Sequence, residues 1–189
     1  MLEILKNPKS EGYDEIRERV FDHQFPWYYN STSTNGLDDM DGHANHPFYS
    51  HIILTRPETG DSYTASKSSA SELFVGVMGD ILKFNNTNVR FFFTRMSVNC
   101  TFPIEGTQFT IPHNDHDFPH TNFICYLTDD HGGGGRTFIE GHSPHKPIKD
   151  QFIVFTGKHY MELPKKGRRI IIVGTFITCL LYTSPSPRD

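Results

Sequence analysis

Apolar and polar positions along this chain fall into two regimes. Between residues 11 and 23, Tyr13, Ile16 and Val20 recur at the spacing that puts them on one face of a helix. Pro26 has no backbone N–H and cannot continue that helix. An aromatic cluster follows, Phe25-Pro26-Trp27-Tyr28-Tyr29, which holds the only Trp. Residues 30 to 47 are mostly Ser, Thr, Asn, Asp and Gly and read as a long polar loop, residues 51 to 54 as a short strand, and residues 57 to 69 as loop again. Ser69 and Glu72 have the spacing of a capping box and predict a helix start. In that helix Leu73, Val77 and Ile81 form one row, and Phe74, Met78 and Leu82 the next. So broad a stripe is expected to pack on a sheet; the run ends at Asn85-Asn86.

From Val89 the pattern changes to short apolar runs separated by Gly, Pro and Asp. Strands are predicted over 89–98, 107–113, 121–128, 136–140, 151–156 and 168–177. Helices before a run of strands suggest helices covering one face of a sheet. The expected fold is mainly β, a double-stranded β-helix (jelly roll, cupin-like) with the N-terminal helices packed on one sheet. Residues 1–177 are expected to make one domain, with a helical and loop part over 1–88 and a jelly-roll core over 89–177. After Ile177 the sequence changes character; residues 178–189 resemble a translated adapter or assembly scar and are set aside as a non-native tail.

Composition narrows the classes. A length of 189 residues suits one domain with a proper core. Aromatic content of 13%, with 16 Phe, compensates a modest hydrophobic share of 36% and suits a β-rich interior. The net charge of -4 and the lack of a dense Lys/Arg block argue against electrostatic capture of nucleic acid. Cys100, Cys125 and Cys179 make no Cys-x-x-Cys pair, and two of them sit in apolar strand-like contexts as reduced core residues. The first residues lack the apolar core of a signal peptide, and no run reaches membrane-spanning length. A cytoplasmic protein is expected.

The candidate chemistry is a spacing. His113-Asn114-Asp115 places an imidazole and a carboxylate two residues apart, on the same side of an extended chain. His-x-Asp or His-x-Glu occurs once, at His113. His159 follows the apolar run 152–155, and Arg169 opens the run 170–173. Two imidazoles and one carboxylate can occupy one face of an Fe(II) ion and leave the other open, as in the facial triad of non-haem iron oxygenases. The arginine can hold the far carboxylate of an organic acid that chelates the metal. His116 and His120 flank the motif and would replace His113 in another register. Arg168 would replace Arg169 if that strand slipped by one residue. The Gly132–Gly135 run lacks the Lys-Ser/Thr and helix of a phosphate loop and reads as a turn.

From Phe25 to Ile177 the chain resembles the viral and marine-environmental branch of the 2-oxoglutarate/Fe(II)-dependent oxygenases, related to prolyl 4-hydroxylases. The resemblance rests on Phe25 to Tyr29, on Arg95-Met96-Ser97-Val98-Asn99 (with Ser97 where the family usually has Lys), and on His113-Asn114-Asp115. It continues through Tyr126-Leu127-Thr128-Asp129, Gly134-Gly135-Arg136-Thr137-Phe138, Phe155-x-Gly157-x-His159 and Arg169-Ile170-Ile171-Ile172. It implies His113, Asp115 and His159 as Fe(II) ligands, with Arg169 (or Arg168) and the Tyr126 hydroxyl on 2-oxoglutarate. It also implies O2 as a partner, ascorbate as a possible reductant, and succinate and CO2 as co-products of hydroxylation. The prime substrate would be a protein side chain, prolyl-like, or a small metabolite. For a viral chain the compartment would be the host cytoplasm. Two other readings share the architecture: a cupin-like metal enzyme, and a non-catalytic viral jelly-roll binding module. Cupins generally carry His-x-His where this chain has His-x-Asp.

Overall fold

The computed structural model describes residues 1–34, 42–57, 64–86 and 89–180. In chain order the elements are β1 (Leu2–Leu5), α1 (Glu11–Phe21), β2 (Tyr28–Asn30), β3 (Phe48–Leu54), α2 (Ser71–Asn85), β4 (Val89–Thr101), β5 (Thr121–Tyr126), β6 (Thr137–Ile139), β7 (Phe152–Phe155), β8 (His159–Met161) and β9 (Arg169–Leu180). The major sheet has seven strands in the order β1-β7-β5-β9-β4-β3-β2, and β6 pairs with β8 in a minor sheet. Every ladder is antiparallel. The architecture is the mainly β fold expected. The short strand expected over 51–54 is the second half of β3, and two strands not expected from the sequence, β1 and β2, form the edges of the major sheet.

Period-two alternation divides the major sheet into an outer face under the helices and an inner face toward the minor sheet. Phe123, Cys125, Ile170 and Ile172 join Tyr13, Ile16 and Val20 of α1 and Phe74, Met78 and Ile81 of α2 in the outer core. Ile124, Tyr126, Ile171 and Val173 turn inward and pack with Ile139, Ile153 and Phe155. The α2 stripe therefore packs on the sheet. Cys100 and Cys125 are buried free thiols.

Helix starts differ in how they are closed. The Ser10 side chain caps α1 by accepting from the Tyr13 N–H at 3.3 Å. The expected capping box at Ser69 does not form: Ala70 occupies the N-cap of α2 and gives no side-chain bond. Ser71 is buried and donates its hydroxyl to the carbonyls of Ser68 (2.5 Å) and Ile53 (3.1 Å), which ties the helix start to β3 instead. The strand predicted over 107–113 is replaced by isolated bridges, Phe109 with Glu162 and His113 with His159. Pro112 has no N–H for a ladder, and Gly106 turns the chain at φ +79. The β9 ladder continues past Ile177, pairing Thr178 with Phe91 and Leu180 with Val89, while 181–189 lie outside the described residues.

A bulge in β4 decides what reaches the interior. The register with β9 shifts between Phe93 and Arg95. Before the shift Phe91 and Phe93 face the helices; after it Met96, Val98 and Cys100 do. The extra residue reverses the parity of the strand. Arg95, Asn99 and Thr101 consequently line the inner cavity.

Candidate metal centre

His113 ends the segment bridged alongside β8, Asp115 follows two residues on, and His159 opens β8. The two histidines lock each other through paired backbone bonds of 3.0 Å, His113 N–H to His159 O and His159 N–H to His113 O. Their rings lie 4.8 Å apart. Ligand atoms of His113, Asp115 and His159 all fall within 4.8 Å of one another, and among the described residues this is the one such group. His116 and His120 stay outside it. His116 bonds the Thr175 hydroxyl at 2.8 Å and stacks on Phe118, and His120 bonds the Phe118 carbonyl.

The donor atoms are oriented. His113 Nδ1 bonds the Ile111 carbonyl at 2.8 Å and His159 Nδ1 that of Gly157 at 3.3 Å. Each bond makes Nδ1 the protonated nitrogen and leaves the Nε2 lone pair free, the tautomer a metal ligand needs. Asp115 is 4% exposed. Its Oδ1 accepts from Arg95 and, at 3.0 Å, from Arg56 Nη2, while Oδ2 stands 3.6 Å from His159 Nε2. Burial pushes the Asp115 carboxyl up, but Arg95, the two histidines and Arg56 together outweigh it and hold it well below the usual carboxylate range. Burial drives His159 down to about 4, so the imidazole is neutral near pH 7. An ionised carboxylate and two imidazoles with free Nε2 atoms are the donor set that suits Fe(II).

The same cleft is lined by Arg169, Thr137, Thr101, Ile124, Ile171 and Val173. Arg169 follows from parity: it shares the inner face with Ile171 and Val173, while Arg168 is exposed and lies outside the cavity. The Arg169 guanidinium is 1% exposed. Nε donates to the Gly135 carbonyl and Nη2 to the Thr137 hydroxyl, each at 3.0 Å. Gly135 sits at φ +79, and a Cβ there would stand 2.8 Å from the His131 ring, so the turn that presents this carbonyl requires glycine. Tyr126 lies behind: its ring is 5.4 Å from the guanidinium carbon, and its hydroxyl bonds Thr137 Oγ1 at 2.7 Å. No carboxylate among the described residues pairs with Arg169. A buried guanidinium with no counter-ion among the described residues, facing a cavity, can seat an anion.

Sequence reading assigned no role to Thr137, Arg95, Arg56 or His46, all of which the fold brings to the site. A capping or ligand spacing could not find them. Arg95 arrives through the bulge, and Thr137 through pairing of β6 with β8.

By sequence, no protein-family profile and no curated protein matches the chain. Solved structures do match. The chain superposes on an oxidoreductase of the 2OG-Fe(II) oxygenase family from Burkholderia pseudomallei with TM-score 0.68 at 14% identity, over 93% of this chain and 84% of that one. The chain has the fold of the 2OG-Fe(II) oxygenases. Similar folds include a prolyl hydroxylase from Trichoplax adhaerens in complex with a hypoxia inducible factor peptide (TM-score 0.57, 17% identity, 93% and 83% covered). Another is the nogalamycin epimerase SnoN in complex with Fe3+ and alpha ketoglutarate (TM-score 0.52, 10% identity, 100% and 88% covered).

Proposed function

We propose that this chain is an Fe(II)/2-oxoglutarate-dependent oxygenase that hydroxylates a protein side chain, prolyl-like, or a small metabolite. The observation that carries the reading is the pairing, in one cavity, of a His-Asp-His cluster with a buried guanidinium that has no acidic partner among the described residues. His113, Asp115 and His159 would hold the metal, and Arg169 the distal carboxylate of 2-oxoglutarate. Fe(II) with 2-oxoglutarate supplies oxidative decarboxylation coupled to C–H hydroxylation, with succinate and CO2 as co-products. Ascorbate would serve as reductant.

The chain's own residues prepare that chemistry. Arg95 and Arg56 hold Asp115 ionised and fix one of its oxygens, leaving Oδ2 toward the imidazoles. Thr137 and Gly135 hold the Arg169 fork before any ligand arrives, so little side-chain entropy is lost on binding. Ile124, Ile171 and Val173 give the cavity apolar walls that strengthen a charge pair between them.

A polar groove shares Arg95, Asn99, Phe48 and His113 with this cavity and runs along β2, the edge strand of the major sheet. Tyr29, Asn30 and Ser50 line it. The outer edge of β2, unpaired among the described residues, supports an extended peptide as prime substrate. No helix among the described residues is long and apolar enough to cross a membrane. Buried free thiols and a ferrous site support a cytoplasmic setting.

The test is anaerobic titration of apo-protein with Fe(II) and 2-oxoglutarate, following the visible metal-to-ligand charge-transfer band. A band present in the wild type and absent in His113→Ala is expected. Well-folded protein that gives no band would sink this reading.

A further inference from the structure

We propose that His46 is a further binding residue of this cavity, donating an imidazole N–H to the distal carboxylate of an oxo-diacid beside Arg169. The inference rests on the co-substrate reading above and extends it to a residue outside the metal cluster.

His46 is 2% exposed, and neither Nδ1 nor Nε2 has a hydrogen-bond partner among the described residues. Buried side-chain nitrogens are almost always satisfied, and an imidazole with both left open calls for an explanation. The ring lines the same cavity as Arg169, Thr137 and Thr101. Its place in the fold sets it at the Arg169 end. Tyr49 pairs with Cys100, and Thr101 pairs with Arg169, so the start of β3 and the beginning of β9 flank the same end of β4. His46 precedes β3 by two residues. Asp115 is held at the other end, by Arg95, several residues further back along β4.

Electrostatics agree with this placement. Burial, then the Arg169 charge, then His113 bring the His46 pKa down to about 4, so the ring is neutral near pH 7 and carries one N–H. A neutral donor next to a buried cation suits an incoming carboxylate: the pair supplies one full charge and an extra donor without a second buried cation.

Among the described residues, two other buried side chains have open polar atoms. Asn122 has both amide atoms unpartnered, and His131 has Nδ1 unpartnered, but neither lines the cavity.

The test compares two oxo acids on metal-loaded protein without oxygen. Wild type, His46→Leu and His46→Gln are loaded with Mn(II), and metal affinity is measured first. Each is then titrated calorimetrically with 2-oxoglutarate and with 2-oxopentanoate, which lacks the distal carboxylate. The expected result is unchanged Mn(II) affinity, about tenfold weaker 2-oxoglutarate binding in His46→Leu, partial recovery in His46→Gln, and 2-oxopentanoate affinity within about threefold of wild type. If His46→Leu does not fold, His46→Asn, whose shorter amide is withdrawn from the cavity, takes its place with the same expectation. Equal weakening for both acids would show a packing role and overturn the proposal, as would undiminished 2-oxoglutarate binding. Wild-type protein that binds Mn(II) but not 2-oxoglutarate would overturn the co-substrate reading itself, and this inference with it, a result distinct from a silent His46 variant.

Discussion

Replacing Arg169 by Met removes the charge while keeping most of the side-chain volume, and the structure sets the size of the effect. The guanidinium is 1% exposed and already fixed by Gly135 and Thr137. Its pairing with a carboxylate therefore takes place away from water, at almost no cost in rotamer freedom. Removing one partner of a desolvated charge pair costs about 2–5 kcal/mol of binding. At 1.4 kcal/mol per decade the lower bound is about 30-fold weaker binding of 2-oxoglutarate. The far side of the cavity should not notice: the ligand atoms of His113, Asp115 and His159 make no bond to Arg169, so Mn(II) affinity stays within about twofold. Arg168→Met, on an exposed side chain outside the cavity, should leave both affinities unchanged. Anaerobic calorimetry of the Mn(II)-loaded proteins measures all of these. A loss for Arg169→Met smaller than about threefold, or an Arg168→Met loss as large as that of Arg169→Met, would refute the argument that the inner face of β9 carries the anion seat.

Three further outcomes are expected. His46 is held near 4 when folded against about 6.5 when unfolded, so the unfolded chain takes up the proton first as pH falls; apo-protein stability is present above pH 6.5 and is lost toward pH 4, about 2 kcal/mol of it by pH 5. Urea unfolding at pH 7 and pH 5 should show this loss shrink by that amount in His46→Leu. Asp115→Asn should abolish Mn(II) binding and, by leaving Arg95 and Arg56 without their carboxylate, lower apo stability by about 1–2 kcal/mol, a buried-pair cost discounted because both arginines are partly exposed; an Asn variant that keeps metal would contradict the assigned ligand set. Gly174→Ala would set a Cβ 2.5 Å from the Arg95 carbonyl oxygen and 2.5 Å from the Phe123 ring, on the bulge that turns Arg95 inward. It should cost about 3 kcal/mol in urea unfolding, and a cost under about 0.5 kcal/mol would show that the bulge region is not packed as described.

What the order of residues determines by itself is local. Short continuous apolar runs bounded by turn residues announced β5, β7 and β9, and the apolar rows of Tyr13–Val20 and Leu73–Leu82 announced the two helices, because both signals are local to the element. His113 and Asp115 were legible for the same reason: two residues apart on extended chain, they face one way. Parity also separates Arg169 from Arg168, once Ile170 and Ile172 are known to face the helices. The rest needed the tertiary fold. Whether His116 or His113 meets His159 depends on the backbone bridge between 113 and 159, a pairing across the minor sheet that no local pattern encodes. Ser69 has the spacing of a cap, yet Ser71 makes the closing bonds because β3 offers it a carbonyl. Arg95 enters the site through a one-residue bulge, and Thr137, Arg56 and His46 enter from segments distant in sequence. Which polar groups share a cavity, and which of them lack a partner there, is a property of long-range packing; that packing is where the anion seat of Arg169 and the open imidazole of His46 come from.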